Sequence, residues 1–376
     1  MNEIRCYNGT KYQVIPQAEA SEIVAVSGLK STYLGQGLGF ENNQTNFTVQ
    51  PVLTYAVKVD STNTNACLQA ALRQLEDENP QLHVKWNKQT EEISIEVLGK
   101  IQLEILQQLL LDRFNLKVEF TQGKILYQES IKSSVEGVGH FEPLRHYAEV
   151  HLLLKPGKLG SGLVFKNECS LEVLPKKWQD QVMESLANKE HLGVLIGSPL
   201  TDVEITLIGG RGSNVHTVGG DFREATYRAV RQGLMELKVQ NQVSLLEPWY
   251  QFILRINQEQ VGRAINDIEK IGGKFEIRES SANIVTITGQ APVAQMQDYA
   301  TEVRNYSDGR GQLECLFTGY QECKNSGEVI TDTNYDPVSD INNTPNSVFC
   351  SHGAGHTVVW DEIPDHAQYP YLKSKN

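Results

Sequence analysis

At 376 residues the chain is too long for one compact core, and two to four domains are expected. Its 40% hydrophobic and 21% charged residues are ordinary for a soluble globular protein. A net charge of −12 argues against a generic nucleic-acid coat, but it leaves room for RNA contact wherever positive groups cluster.

No apolar run approaches the roughly 20 residues that a membrane span needs. Residues 1–29 mix charges and prolines into their apolar positions, so no signal peptide is expected. The cysteines at 6, 67, 169, 315, 323 and 350 are scattered, which suits free thiols in a reducing cytoplasm.

In chain order, residues 1–49 read as short strands with glycine-rich turns: Lys11 to Ile15, Glu22 to Val26, then Gly35, Gly37 and Gly39. So few strands make part of a β-barrel, one whose beginning is expected to lie outside this sequence. Residues 50–133 alternate in period. A strand near Pro51–Val59 is followed by a helix with Leu68, Ala71, Leu72 and Leu75 on one face, closed by Pro80. Strands at Leu82–Trp86 and Glu92–Leu98, a helix opening with Ile101, Ile105, Leu109 and Leu110, and a strand at Leu116–Phe120 complete a split βαβ plan.

The middle region, residues 134–247, is organised around an alternating strand at Val203–Leu207, a glycine-rich loop from Gly209 to Gly220, and a helix. Asp221 reads as the helix N-cap and Glu224 as its capping-box partner. Phe222, Ala225, Ala229, Val230, Leu234 and Leu237 would face the core, with Arg223, Arg228 and Arg231 turned outward. Residues 248–320 repeat the split βαβ pattern, with Gly272-Gly273 as a helix stop and Pro292 opening a second helix. The last stretch, 321–376, is rich in Asn, Asp, Pro and Gly; it reads as mostly loop, wrapped over a neighbouring domain. The expected fold is therefore α+β and multidomain. A partial β-barrel is followed by two ferredoxin-like split βαβ domains flanking a β-α-β-α domain with a projecting loop tip.

Several stretches are shared with a known family: Gly28-Leu29-Lys30, Glu96 to Ile105, Tyr127-Gln128-Glu129-Ser130-Ile131, Leu245-Leu246-Glu247-Pro248, Tyr299 to Arg304, and Gly309-Arg310. Together they cover about residues 10–320, and in that order the chain resembles the C-terminal two-thirds of elongation factor G and the tetracycline-resistance ribosomal protection proteins. The resemblance implies a layout: 1–49 as the end of the family's second domain, 50–133 the third, 134–247 the fourth and 248–320 the fifth. It also implies a mechanical role. The fourth domain would reach the decoding region of the small ribosomal subunit, driven by a GTPase domain, with its GTP and Mg, outside this fragment. The family's tip carries Tyr-His-x-Val-Asp-Ser-Ser in elongation factor G and Tyr-Ser-Pro-Val-Ser in the resistance proteins. Here Val215-His216-Thr217-Val218-Gly219-Gly220-Asp221 stands in its place, so His216 and Val218 match while glycines replace the acidic and serine positions.

A phosphate loop G-x-x-x-x-G-K-[ST] is not found. Gly28-Leu29-Lys30-Ser31-Thr32 lacks the earlier glycine, and Asn188-Lys189-Glu190-His191 ends in a residue that cannot read guanine as a carboxylate does. The fragment itself is expected to be no enzyme, to hold no cofactor, to be a monomer, and to bind no membrane. The expected contacts to small-subunit rRNA are Arg211 for phosphate and Asn214, His216 and Val218 for bases and 2′-hydroxyls. Lys155 and Lys158, on a second glycine-rich turn expected at the same end, would add support. Two other readings stay open: a free-standing RNA- or protein-interaction module, and a thiol enzyme built on Cys350, His352 and His356. Cys323, Cys350, His352 and His356 also offer zinc ligands, although their spacing matches no common finger. Asp332 to Asp336 begins like a calcium loop but puts Pro337 where that loop needs glycine.

Overall fold

The computed structural model describes residues 2–371, apart from residues 10, 30, 31, 38, 44–50, 61–63, 88–91, 122, 123 and 282. The Gly-Lys-Ser look-alike and the boundary expected near residue 49 fall partly or wholly outside the described residues. The chain divides into two compact units, residues 1–124 and 125–376. No described helix is long and apolar enough to cross a membrane, and all six cysteines are free.

The first unit opens with an open three-stranded sheet of β1 (Glu3–Asn8), β2 (Lys11–Ile15) and β3 (Ala25–Ser27), in the order β2-β1-β3. It then builds a split βαβ fold from β4 (Leu53–Val59), α1 (Asn65–Glu78), β5 (Lys85–Asn87), β6 (Glu92–Val97), α2 (Lys100–Phe114) and β7 (Val118–Phe120). The strand order β5-β6-β4-β7 is antiparallel throughout. Alternation along β4 buries Leu53, Tyr55 and Val57, and α1 buries Leu68, Leu72 and Leu75. Of the apolar residues that mark α2 in the sequence, Leu110 is buried while Ile101 and Ile105 are 71% and 55% exposed; α2 also buries Leu103 and Leu106. Polar residues such as Gln102, Glu104, Gln107, Gln108 and Asp112 are mixed among the apolar ones round this helix, so its period selects no face.

The division falls within β8 (Lys124–Ile125), and the second unit continues with β9 (Gln128–Ile131), β10 (Val135–Phe141), β11 (Ala148–Pro156), β12 (Leu163–Asn167), α3 (Lys176–Ala187), β13 (Val203–Gly212) and α4 (Asp221–Val239). Strand β14 (Val243–Asn257) is 15 residues long. It pairs first with β9 and then with β16 (Ile284–Pro292) and β17 (Gln312–Glu322). With α5 (Val261–Lys270), β15 (Lys274–Ser281), α6 (Val293–Met296) and α7 (Tyr299–Tyr306) these strands form a second split βαβ sheet, ordered β15-β16-β14-β17. The βαβ plan is thus present in both units.

Residues 321–376 depart most from expectation. After α8 (Ser326–Thr333) they form β18 (Ser347–Ser351), β19 (Ala354–Val358) and α9 (Ile363–His366). The sheet of the middle region runs β12-β13-β11-β10-β18-β19, so the extension supplies its last two strands. Helices α3 and α4 cover one face over Val150, Leu152, Leu154, Ile205 and Leu207. The extension covers the other, where Val138, Phe349, Val358, Ile363 and Tyr371 make a smaller core. A composition poor in apolar residues still folds here because it joins an existing sheet edge, whose free backbone groups it satisfies.

Arg231 corrects the expected outward face of α4. It is 3% exposed and donates to the carbonyls of Leu192, Gly193 and Asn343 and to the Tyr335 hydroxyl. A guanidinium with five fixed donors suits such a buried junction of three backbone segments. Replacing it leaves buried carbonyls unpaired, so Arg231→Ala is expected to cost about 2–4 kcal/mol and to release residues 335–371 to limited proteolysis. Urea unfolding and timed trypsin digestion check both.

Candidate nucleic-acid interface

The loop expected at 209–220 is shorter than its glycines suggest, because β13 continues through Gly212. Gly209, Gly210, Arg211 and Gly212 pair with His151, Val150, Glu149 and Ala148 of β11, after a bulge that leaves Ile208 unpaired. The glycines answer close approach and not flexibility: a Cβ at Gly209 would lie 2.3 Å from the Tyr369 ring, and one at Gly212 2.6 Å from Trp178. What projects is residues 213–220.

That tip is tied down by hydrogen bonds. The Ser213 hydroxyl accepts from the Val215 and His216 amides, at 3.3 and 3.2 Å. Thr217 receives the Ser213 amide at 2.7 Å and donates its hydroxyl to the Tyr147 carbonyl at 2.5 Å. Asp221 is not a capping-box N-cap. The helix begins on it after Gly220, whose φ of 99° lies in the left-handed region. Its carboxylate instead reaches back to the Val218 amide at 2.9 Å and across to His146 Nδ1 at 2.7 Å. Glu224 pairs with Arg228 at 2.7 Å, one turn along α4. Against this clasp, Arg211, Asn214, His216 and Val218 are exposed, and Val215 is 80% exposed. All four expected residues are thus exposed, Arg211 at the end of β13 and the other three on the loop that follows it.

Lys155 and Lys158 are not part of it. Strand β11 starts beside Gly212 and ends with Pro156 beside Val203. Its length puts the turn after it about 25 Å from the tip. Gly157 and Gly162 there donate to the Asp202 carbonyl and carboxylate, at 2.7 and 3.1 Å. The expectation of a shared end failed because β11 and β13 are antiparallel neighbours. The loop after one lies opposite the loop after the other. The tip's actual neighbours are the turn at 142–147, which joins β10 to β11, and the turn of the β18–β19 hairpin, since Phe141 pairs with Val348. Sequence reading missed both.

The zinc set is not assembled. Among the described residues no three His, Cys, Asp or Glu side chains could hold a metal ion together. Cys323 is buried where its amide joins the Leu245 carbonyl, while Cys350, His352 and His356 lie on the β18–β19 hairpin. His356 faces Ser351, at 3.4 Å, across that hairpin.

Behind the tip, the extension's face of the sheet carries a buried ionisable chain. Glu136 meets His151 at 2.6 Å, and His151 meets Glu149 at 3.2 Å. Glu149 meets His140 at 2.7 Å, and His140 meets Glu142 at 3.0 Å. Residues 368–371 close over it: the amides of Gln368 and Tyr369 donate to the Glu149 carboxylate, and the Tyr371 hydroxyl donates to the Glu136 carbonyl. Burial pushes the Glu149 pKa up, but the bonds from His140, His151 and the Gln368 amide outweigh it and hold it at about 2. For His151, burial works downward and the two glutamates win, raising its pKa. Glu136, His140, Glu149 and His151 are all shut away from solvent, where no substrate meets them, so the chain is a structural clasp. The signal in the sequence was ionisable residues at every second position, Glu149-x-His151 and His140-x-Glu142, where one sheet face should have been apolar.

The sign of the pH effect follows from these directions. Glu149, lowered when folded, stabilises fully above about pH 4.5, and that contribution is lost as pH falls toward 2. His151, raised when folded, stabilises fully below about 6.5 and loses that as pH rises through its folded value. Glu149→Gln is expected to cost about 3 kcal/mol near pH 6. The gap to wild type should close progressively between pH 4.5 and 2 in denaturant titrations.

Fold and surface together define a multidomain α+β protein that holds a clasped loop at the end of a buried sheet. Family comparisons agree. Residues 48–122 match elongation factor G domain III, residues 123–237 match elongation factor G domain IV, and residues 244–328 match the elongation factor G C-terminus. The tetracycline resistance protein TetP of Clostridium perfringens is 30% identical over 326 residues, covering 85% of this chain and 49% of that relative. The crystal structure of ttk003000868 from Thermus thermophilus shares the fold at a TM-score of 0.59 and 23% identity, over 88% of this chain and 51% of its own. The chain belongs to the elongation factor G-like family, and it spans about half the length of these matched proteins.

Proposed function

We propose that this chain is a ribosome-contacting part of a translation factor, and that residues 211–218 touch small-subunit rRNA in the decoding region. One observation carries the reading: the four side chains suited to RNA are exposed on a loop that the Ser213, Thr217 and Asp221 bonds hold in shape. A pre-ordered tip loses little entropy on contact, which is what a mechanical probe requires. Arg211 would take phosphate, while Asn214 and His216 would take base edges or 2′-hydroxyls. Val218, 46% exposed, offers apolar contact.

In this reading the chain works by binding and not by catalysis, and any nucleotide cycle belongs to a GTPase domain elsewhere. Protection of the ribosome against tetracycline is the finer form of the proposal, supported by the name of the Clostridium relative. Purified small ribosomal subunits and the chain suffice for a test. Replacing Arg211, Asn214 and His216 by Ala should weaken binding about tenfold or more without lowering Tm. Arg211→Ala alone should reduce the slope of log affinity against log salt by about one. Lys155→Ala with Lys158→Ala should change neither. Wild-type affinity in the triple variant would overturn the assignment.

A further inference from the structure

Because residues 321–376 supply two strands to the tip-bearing sheet, their position relative to the tip can be read from register. β18 runs parallel to β10, and Val348 stands opposite Phe141, the last residue of β10. Residues 349–355 therefore continue past the end of β10, beside the turn at 142–147. Three contacts hold them there. The Glu142 amide donates to the Val348 carbonyl at 2.8 Å, and the Cys350 amide donates to the Glu142 carboxylate at 3.4 Å. Gly355 lies beside Pro143, where a Cβ would stand at ordinary contact distance, 3.5 Å from the Pro143 Cα. The hairpin turn thus projects from the same end of the sheet as residues 213–220.

Its chemistry differs from that of the rest of the chain. Ser351-His352-Gly353-Ala354-Gly355-His356-Thr357 is exposed throughout and carries no carboxylate. Two carboxylates at this end are engaged: Glu142 with His140 and the Cys350 amide, and Asp221 with His146 and the Val218 amide. Arg145 and Arg211 are exposed at this end. In a chain of net charge −12, the tip, the hairpin and the 142–147 turn between them present cations and imidazoles instead, which fits a polyanionic partner. Small residues allow the backbone close to such a partner, and imidazoles stack on unpaired bases and bond 2′-hydroxyls and phosphates.

We infer that the β18–β19 hairpin is a second RNA-contacting arm, which places His352 and His356 on unpaired rRNA nucleotides beside those reached by the 213–220 tip. The inference rests on the proposed ribosomal role but concerns residues outside the three matched family segments, which end at residue 328. Arg145, on the turn between the two arms, would bridge them at a phosphate.

The test compares two variants of the chain on purified small ribosomal subunits, by equilibrium binding and chemical probing of the rRNA. The hairpin variant is His352→Asn with His356→Thr; Asn tolerates the φ of 54° at position 352. The tip variant is Arg211→Ala with His216→Ala, and unchanged Tm verifies folding of both. The hairpin variant should bind about fivefold to tenfold more weakly and lose protection at nucleotides that the tip variant still protects. Affinity within about twofold of wild type and an unchanged footprint, while the tip variant fails to bind, would overturn the hairpin's role and leave the tip's role standing. A hairpin defect that maps by cross-linking to a ribosomal protein strand on the β19 edge would likewise overturn it. Wild-type chain that protects no rRNA at all would remove both readings together.

Discussion

The carboxylate of Glu149 is the point on which the tip-bearing domain depends. It lies fully buried on β11, opposite the strand partner Arg211, and it is satisfied from three directions: His140, His151 and the amides of residues 368–369. A buried charge left with one partner missing costs several kcal/mol, so the sheet's second face is stable only when the extension has closed over it. Covering that face with a hydrogen-bonded clasp and not with a third layer of helices has a geometric consequence. It leaves both ends of the sheet open, and one of those ends is where the tip and the hairpin project.

The tip itself follows the same logic on a smaller scale. Asp221 is 2% exposed, yet it serves the loop before it and the turn beside it, through Val218 and His146. Thr217 joins the loop to the Tyr147 carbonyl. The 142–147 turn and the 213–220 loop therefore move as one piece, fixed to α4 by the first residue of that helix. A contact surface built this way transmits position, since displacement of α4 or of the sheet carries the exposed side chains with it.

Much of the architecture was legible. Both split βαβ plans followed from period changes, because their strands bury one face and their helices one stripe, as Leu53-Tyr55-Val57 and Leu68-Leu72-Leu75 do. The projecting segment was found too, since Val203–Leu207 and Phe222–Leu237 are periodic and what lies between is not. Three things were hidden. Helix α2, with polar and apolar residues mixed round its axis, gave no single face. Glycines at 209 and 212 looked like loop residues, although neighbouring rings demand them. The fate of residues 321–376 depended on pairing with a strand about 200 residues earlier, and no local pattern encodes a partner at that distance. The Lys155–Lys158 turn was misplaced for a related reason, since which end of a sheet a loop occupies is decided by topology and not by composition.

If residues 213–217 meet ribosomal RNA, the turn at the opposite end of the sheet must not. Photo-cross-linking asks this directly: a photoreactive amino acid placed at position 214, or separately at 158, in the chain bound to small ribosomal subunits. Cross-links to rRNA are expected from 214 and none from 158. Cross-links from 158 with none from 214 would contradict the role assigned to the tip.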